Sequence, residues 1–246
     1  MKRILFPRYS LLALLTILLV ASAAQAKPQV ESSKDNVPPP NFAALFNGHD
    51  LTGWKGITEP NGGPPARAKL PIEVLAQKQA AANKRMHDHW RVKDGILLFD
   101  GKGDSIATVK DFGDFELHVD WKIEPGGDSG VYLRGTPQVQ IWDPDWAEYF
   151  RLGNKKGSGG LWNNKKHEKW PLVKADKPIG QWNRFRIKMV GDRATVHLND
   201  IKVTNNVVLE NYWEPAKPLD STGQIELQAH LHPLAIKNVY VRDLSK

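Results

Sequence analysis

The sequence predicts an all-β fold, an antiparallel β-sandwich, and three observations support that prediction. From residue 42 to residue 244 the chain consists mainly of short segments in which apolar and polar residues alternate. Turn-forming pairs such as Asp94-Gly95, Gly126-Gly127 and Asn199-Asp200 separate these segments. A single segment has apolar residues at helical spacing, so the helix content is expected to be small.

Residues 1–26 have the features of a signal peptide. Three positive side chains, Lys2, Arg3 and Arg8, precede an apolar run over residues 11–20 and a stretch of small residues that ends at Ala26. The apolar run is shorter than the roughly 20 residues that a membrane-spanning helix needs, so a cleaved signal is favoured over an anchor. We therefore expect export to the periplasm or the medium and a mature chain that begins at Lys27.

The mature chain is expected to form one domain after a short tether. Residues 27–41 are polar and end in three prolines, which predicts a flexible or extended tether, and the folded domain is expected over residues 42–246. The chain has no cysteine, so its stability must come from burial without disulfides. The formal charge of +7 includes the three positive side chains of the signal, which leaves +4. This charge is evenly spread and no basic run suggests a nucleic-acid partner, whereas nine tryptophans favour a carbohydrate ligand.

The strands and the helix follow from periodicity. The clearest predicted strand is 115–123, in which every second residue is apolar. Comparable alternation predicts strands over residues 130–134, 139–142, 182–190, 194–198, 224–230 and 236–244. The helical segment runs from Pro71 to His89, with a proline at its start. It lies in an interruption of the β pattern at about 57–89, which we interpret as an insertion packed against the sandwich or covering one end of it.

Four groups of residues stand out by their order and spacing. They are LFNGHDLTGW at 45–54; GDSGVYLR at 127–134 followed by VQIWD at 139–143; GQWN at 180–183 with LND at 198–200; and GQIELQAH at 223–230 with KNV at 237–239. Each group is common by itself, but the ordered set is specific. Together they resemble the 3-keto-disaccharide hydrolase domain family, over almost all of residues 44–244 except the insertion.

This resemblance implies a fold and a substrate class. The fold is a jelly-roll sandwich of the concanavalin and glucanase type, with a sugar site on the concave sheet. The substrates are glycosides in which a glucose-like ring is oxidised to a ketone at C3. One position departs from the family, because an acidic residue usually precedes the histidine of the penultimate strand and here that position is Ala229. The role of that carboxylate must be filled by another residue or is missing.

Strand alternation also gives candidate binding residues that do not depend on the resemblance. If Val131, Val139 and Leu227 point into the core, their neighbours along each strand point to the opposite face. Those neighbours are rich in Arg, Gln, His and Trp, which form hydrogen bonds with sugar hydroxyls or stack on sugar rings. We expect substrate-binding roles for Tyr132, Gln140, Trp142 and Gln228 on these faces, and also for Asp143, which directly follows Trp142.

A ketone at C3 changes the chemistry that an enzyme must supply. It acidifies the hydrogen at C2, so one base and one group that stabilises the enolate oxygen suffice. His230 is the expected base, with Asp120 or Asp143 as its partner, and Arg134 is expected to stabilise the enolate. Glu116 and Asp120 are a poor pair for ordinary glycoside hydrolysis, because residues four apart on a strand are separated by about 13 Å. Elimination followed by hydration and direct hydrolysis both stay open.

A divalent metal near His230 is one further option. His230 and His232 have the spacing that places two imidazoles on one face of a strand, and Asp143, Asp145 and Glu148 offer oxygen ligands nearby in sequence. The alternative is that Pro233 ends the strand and His232 faces water.

Two other classes of function fit the same sequence. A lectin-like carbohydrate-binding module would have the same fold without turnover, and Ala229 in place of an acidic residue favours this alternative. A structural envelope protein would use the sandwich only for packing against a neighbour. Turnover of a 3-keto-glucoside distinguishes the enzyme from both.

Overall fold

The computed structural model describes Met1, residues 34–136 and residues 138–245. The predicted signal peptide, apart from Met1, and the first part of the predicted tether lie outside the described residues. Within the described residues, no helix is both long and apolar enough to cross a membrane.

The described part of the chain contains thirteen strands, two α-helices and two short 3₁₀ helices. The strands are β1 (Ala43–Ala44), β2 (Trp54–Gly56), β3 (Trp90–Lys93), β4 (Ile96–Asp100), β5 (Ile106–Thr108), β6 (Phe115–Ile123), β7 (Asp128–Tyr132), β8 (Gln138–Trp142), β9 (Asn183–Val190), β10 (Arg193–Leu198), β11 (Ile201–Val208), β12 (Glu226–Leu227) and β13 (Pro233–Asp243). The α-helices are α1 (Gly63–Ala68) and α2 (Ile72–His89), and the 3₁₀ helices are Ala147–Leu152 and Asn154–Lys156.

The strands form two antiparallel sheets. The larger sheet has the order β11-β10-β9-β6-β13-β4-β3, and β1 pairs with the C-terminal part of β13. The smaller sheet has the order β2-β5-β12-β7-β8. The predicted antiparallel sandwich is confirmed.

Alternation along the strands places the core between the two sheets. Phe115, Leu117 and Val119 of β6 in the larger sheet are inaccessible to solvent, as are Val131 of β7 and Val139 of β8 in the smaller sheet, and all belong to one cluster. Burial of each such side chain contributes about 1.5–3 kcal/mol. A continuous core of this kind provides the stability that the chain, without cysteine, must obtain from burial.

Helix α2 covers an edge of the smaller sheet. The predicted helix is present as Ile72–His89, and it buries Ala82 and Met86. Edge strand β2 ends at Gly56, whose backbone N–H donates to Asn83 Oδ1 (3.0 Å) and whose carbonyl accepts from Gln79 Nε2 (2.8 Å). A side chain at Gly56 would overlap the helix backbone. The insertion is therefore packed tightly on the edge, where it satisfies hydrogen-bonding groups that an exposed edge leaves open.

Two strand predictions require correction. Within the segment 224–230 only Glu226–Leu227 forms a strand, although the N–H of Gln228 still donates to the carbonyl of Gly130 (2.9 Å). Pro233 does not end a strand; it begins β13 and lies opposite Asp100. Proline is accepted there because the first residue of a strand can lack an N–H donor.

Residues 35 and 36, which fall within the flexible or extended tether predicted for residues 27–41, are hydrogen-bonded to the larger sheet. The N–H of Asn36 donates to Asn238 Oδ1 (2.6 Å) and the N–H of Asn238 donates to Asn36 Oδ1 (3.0 Å). Asp35 forms an ion pair with Lys237 (2.7 Å). These polar residues are held by side-chain hydrogen bonds, which hydrophobic periodicity does not reveal.

Candidate functional site

A cleft of about 470 Å³ lies on the outer face of the smaller sheet. Val131, Val139 and Leu227 point into the core, so the residues that alternate with them along each strand face the cleft. The insertion and residues 149–163 and 212–213 form its walls. The lining residues are Ile57, Pro60, Asn61, Gly63, Arg67, Ser105, Asp128, Tyr132, Gln138, Gln140, Trp142, Tyr149, Leu152, Trp162, Asn163, Tyr212, Trp213, Glu226, Gln228, Ala229 and His230.

Side-chain hydrogen bonds run across the cleft floor from Asp128 to Tyr132. Gln140 Nε2 donates to Asp128 Oδ1 (2.7 Å), and Gln140 Oε1 accepts from Gln138 Nε2 (2.6 Å). Gln138 Nε2 also donates to Gln228 Oε1 (3.0 Å), and Gln228 Nε2 donates to the Tyr132 hydroxyl oxygen (3.2 Å). Each amide is held in one orientation, so the floor is preorganised for polar ligands.

The Tyr132 hydroxyl can donate to a ligand. Its oxygen accepts from Gln228, which leaves its own hydrogen available. Burial raises the pKa of Tyr132, so the hydroxyl stays protonated at neutral pH.

Asp128 and His230 lie close together at one end of the floor. His230 Nδ1 lies 3.9 Å from Asp128 Oδ2, beyond hydrogen-bond distance, and this buried nitrogen has no hydrogen-bond partner among the described residues. Burial raises the pKa of Asp128, and the neighbouring His230 opposes that shift. The side chain of His230 is 42% exposed. The pair can therefore accept a proton from a ligand in the cleft, with the carboxylate stabilising the imidazolium that forms.

Aromatic side chains form one wall of the cleft. The ring of Trp142 lies 5.2 Å from that of Trp162 and 6.4 Å from that of Trp170. Trp142 Nε1 donates to the carbonyl of Gly157 (2.8 Å), and the side chain is only 2% exposed. Trp162 and Tyr149 also line the cleft. Trp142 thus supports the wall, whereas the more exposed rings offer stacking faces.

The other end of the floor carries an ion pair. Arg67 of α1 places Nη2 3.0 Å from Oε1 of Glu226 of β12. Glu226 is almost fully buried, and burial raises its pKa while Arg67 opposes the shift. The insertion therefore contributes a charged side chain to the cleft as well as a wall.

Five of the predicted site residues meet in this cleft. Tyr132, Gln140, Trp142, Gln228 and His230 all line it. Three others, Arg134, Asp120 and Asp143, do not.

The prediction that Arg134 shares the cleft is wrong. Its guanidinium donates to the carbonyls of Gly113 (2.9 Å), Gly191 (2.9 Å) and Asp220 (3.1 Å), and it forms an ion pair with Asp114 (2.9 Å). Strand β7 ends at Tyr132, and Arg134 has a φ of 55°, so the alternation on which the prediction rested has stopped before this residue. Arg134 links loops at the end of the sandwich.

Asp120 and Asp143 are also placed away from the cleft. Asp120 projects from the outer face of the larger sheet, where its oxygens accept from Arg184 Nε (2.5 Å) and Asn238 Nδ2 (2.7 Å). Asp143 follows the end of β8, and its Oδ2 accepts from the N–H of Gly126 (2.9 Å). Neither is a partner of His230. For Asp120, alternation shows that the side chain leaves the core but not which sheet it leaves, and Asp143 lies beyond the end of its strand.

No metal-binding set accompanies His230 in the described part of the chain. Among residues 34–136 and 138–245, no group of three or more His, Asp or Glu side chains is placed to hold a metal ion. His232 Nδ1 lies 3.2 Å from the carbonyl of His230, and Asp145 pairs with Lys174 (2.7 Å). The donor set therefore does not fit the divalent metal that the sequence suggested near His230.

The sequence-based selection missed Asp128, Glu226 and Arg67. Asp128 and Tyr132 are an even number of residues apart on β7, so alternation places both on the cleft face. The same rule places Glu226 beside Gln228. Arg67 lies in the insertion, where neither periodicity nor the resemblance gave a signal.

Comparison with known proteins indicates a family and supports the fold. A family model described as the 3-keto-alpha-glucoside-1,2-lyase-like domain matches residues 41–242. A 3-keto-disaccharide hydrolase of Bacteroides thetaiotaomicron is 24% identical over 218 residues, with 75% of this chain and 65% of that protein covered. The chain thus spans less than two thirds of that relative.

Solved structures from Parabacteroides distasonis share the fold. The crystal structure of a candidate glycosyl hydrolase superposes with a TM-score of 0.62 at 23% identity, covering 86% of this chain and 100% of that chain. Another candidate glycosyl hydrolase superposes with a TM-score of 0.54 at 27% identity, covering 64% of this chain and 91% of that chain.

Proposed function

Since the chain belongs to the family of 3-keto-alpha-glucoside-1,2-lyase-like domains, as the four groups of residues predicted, we propose that it is an enzyme that cleaves the glycosidic bond of glycosides carrying a ketone at C3. The observation that carries the proposal is the pairing of His230 with Asp128 at one end of a cleft floored by oriented amides. One base and one donor for the enolate oxygen are what this chemistry needs.

Asp128 takes the place of the carboxylate that Ala229 lacks. The family pattern has an acidic residue directly before the histidine, and here a carboxylate reaches His230 from the adjacent strand instead. Asp128 Oδ2 lies beside Nδ1, so Nε2 of His230 is the nitrogen that accepts the substrate proton. The imidazolium formed in that step attracts the carboxylate and closes the 3.9 Å gap.

Cleavage by elimination and hydration needs only the glycoside and water. His230 removes the proton from C2, and the electron pair forms an enolate whose negative charge lies on the C3 oxygen. Gln228 lies two residues before His230, and the second N–H of its Nε2 is a donor available to that oxygen. The enolate then reforms the ketone, a double bond forms between C1 and C2, the C1–O bond breaks, and the leaving oxygen takes a proton from the imidazolium. Addition of water, OH to C1 and H to C2, yields net hydrolysis.

The proposal includes export. The basic residues, the apolar run and the small residues of the first 26 positions support secretion. Exported proteins are often stabilised by disulfides, and this chain has no cysteine, so burial in the continuous core must stabilise it instead.

Aglycone release from a 3-keto-glucoside tests the function. The purified chain is expected to release p-nitrophenol from p-nitrophenyl 3-keto-glucoside and to leave the unoxidised p-nitrophenyl glucoside intact, because only the ketone acidifies C2. Equal rates on both would indicate ordinary hydrolysis. Binding of the 3-keto compound without release would support the alternative that Ala229 favours, a lectin-like module.

A further inference from the structure

The two ends of the cleft are separated by the length of β7. Asp128 begins this strand and Tyr132 ends it, so their Cα atoms are about 13 Å apart. Tyr132 is the cross-strand partner of Glu226, and Asp128 lies beside His230. The proposed base is therefore at one end, and the Arg67–Glu226 pair is at the other. One sugar ring does not span this length, whereas two linked rings do.

The Arg67 end has the chemistry of a sugar subsite. Among the described residues that line the cleft, Arg67 is the only lysine or arginine. Its Nη2 donates to Glu226 and its Nη1 lies 3.5 Å from the carbonyl of Thr58, which leaves three of its five N–H groups for a ligand. The pair is neutral overall and can both donate and accept, which suits the hydroxyls of an uncharged sugar.

An aromatic face lies beside this pair. Trp213 and Tyr212 line the same part of the cleft, with ring centroids 4.9 Å apart. Trp213 packs against Gly63 at the start of α1, and its Nε1 donates to the carbonyl of Gly135 (3.0 Å). Helix α1 and Trp213 pack against each other, so the aromatic ring lies on the same side of the cleft as the guanidinium of Arg67.

We propose that Arg67, Glu226 and Trp213 form a subsite for the second ring of a disaccharide, so that the insertion selects disaccharides over glycosides of small alcohols. This role rests on the proposed function, because the first ring must bind next to His230. Arg67 is a specificity-determining residue that contacts the second ring and takes no part in bond cleavage.

The test compares two oxidised substrates, 3-keto-trehalose and methyl 3-keto-glucoside, in the full chain. Arg67→Met is expected to raise KM for 3-keto-trehalose about tenfold with kcat within about twofold, because it removes binding that ground state and transition state share. The kcat/KM for methyl 3-keto-glucoside should stay within about twofold of wild type. Arg91→Met is the matched control, because Arg91 is an exposed arginine on β3 of the larger sheet. It should leave kcat and KM unchanged for both substrates.

A second variant keeps the test valid if loss of Arg67 disturbs folding. Arg67→Met leaves Glu226 buried without its partner, whereas Arg67→Met combined with Glu226→Gln removes that charge as well. The double variant should show the same selective loss on 3-keto-trehalose. Equal losses on both substrates, or no loss on either, would overturn the subsite while the proposed function stands. Failure of the wild type to cleave either substrate would overturn both.

Discussion

The Nδ1 atom of His230 lies 3.9 Å from Oδ2 of Asp128, and burial raises the pKa of that carboxyl group. A buried carboxylate next to an imidazole that gains a proton during the reaction stabilises the charged intermediate more than the resting state. The proposed role of Asp128 is therefore to stabilise the imidazolium of His230 during catalysis, and not to bind the substrate.

Asp128→Asn should lower kcat for a 3-keto-glucoside by about 100-fold and change KM little, since the asparagine keeps the shape but not the charge. Steady-state kinetics of the variant and the wild type measure both parameters. Asp145→Asn, which alters an exposed carboxylate paired with Lys174, is the control and should behave as wild type. A kcat unaffected by Asp128→Asn would remove Asp128 from the mechanism.

Arg134→Ala should destabilise the fold and leave catalysis intact. The guanidinium is buried and donates to three backbone carbonyls, which would lose their partners, so we expect a loss of about 3 kcal/mol. Urea unfolding measures the change in free energy of unfolding, and kcat at low temperature measures catalysis. Arg186→Ala, which breaks an exposed pair with Asp200, should cost less than about 0.5 kcal/mol. An Arg134→Ala protein of normal stability without turnover would contradict this assignment.

Glu210 should make stability depend on pH. Its carboxylate accepts from the N–H groups of Lys165 (3.0 Å), Lys166 (2.6 Å) and His167 (2.8 Å), which lower its pKa from 4.5 to about 2. Because the folded pKa is below the unfolded one, this contribution is complete above about pH 4.5 and is lost as the pH falls toward 2.

Glu210→Gln should therefore lower the free energy of unfolding by about 1 kcal/mol at pH 7, a value reduced for solvent screening, and by much less near pH 2. Denaturant titrations at several pH values measure the difference. Glu168→Gln, on the same exposed loop, is the control. A difference independent of pH would show that the carboxylate charge is not what holds this loop.

The exported protein should begin at Lys27. Ala24 and Ala26 supply the small side chains that a signal peptidase accepts, and Ala26→Arg should block cleavage. Intact mass of the secreted protein checks the first statement, and accumulation of the uncleaved Ala26→Arg chain checks the second. A secreted protein that retains residues 1–26 would show that this segment is not a cleaved signal.

The sequence alone determined the fold class and most of the sandwich. Strand β6 was predicted at its observed bounds, and helix α2 within one residue, because period-2 and helical spacing are local properties that burial on one side imposes. The same alternation placed Tyr132, Gln140 and Gln228 on one face, and His230 lines the same cleft although β12 ends at Leu227.

Only the tertiary structure decided which outward-facing residues meet. Asp120 and Gln140 both alternate with core residues, yet they project from opposite sides of the sandwich, because periodicity carries no information about which sheet a strand joins. Arg134 lies beyond the end of β7, where a left-handed backbone redirects the side chain. The pairing of Asp128 with His230 and the delivery of Arg67 to Glu226 join residues about 100 and 160 positions apart, and such contacts arise from packing between elements rather than from any local pattern.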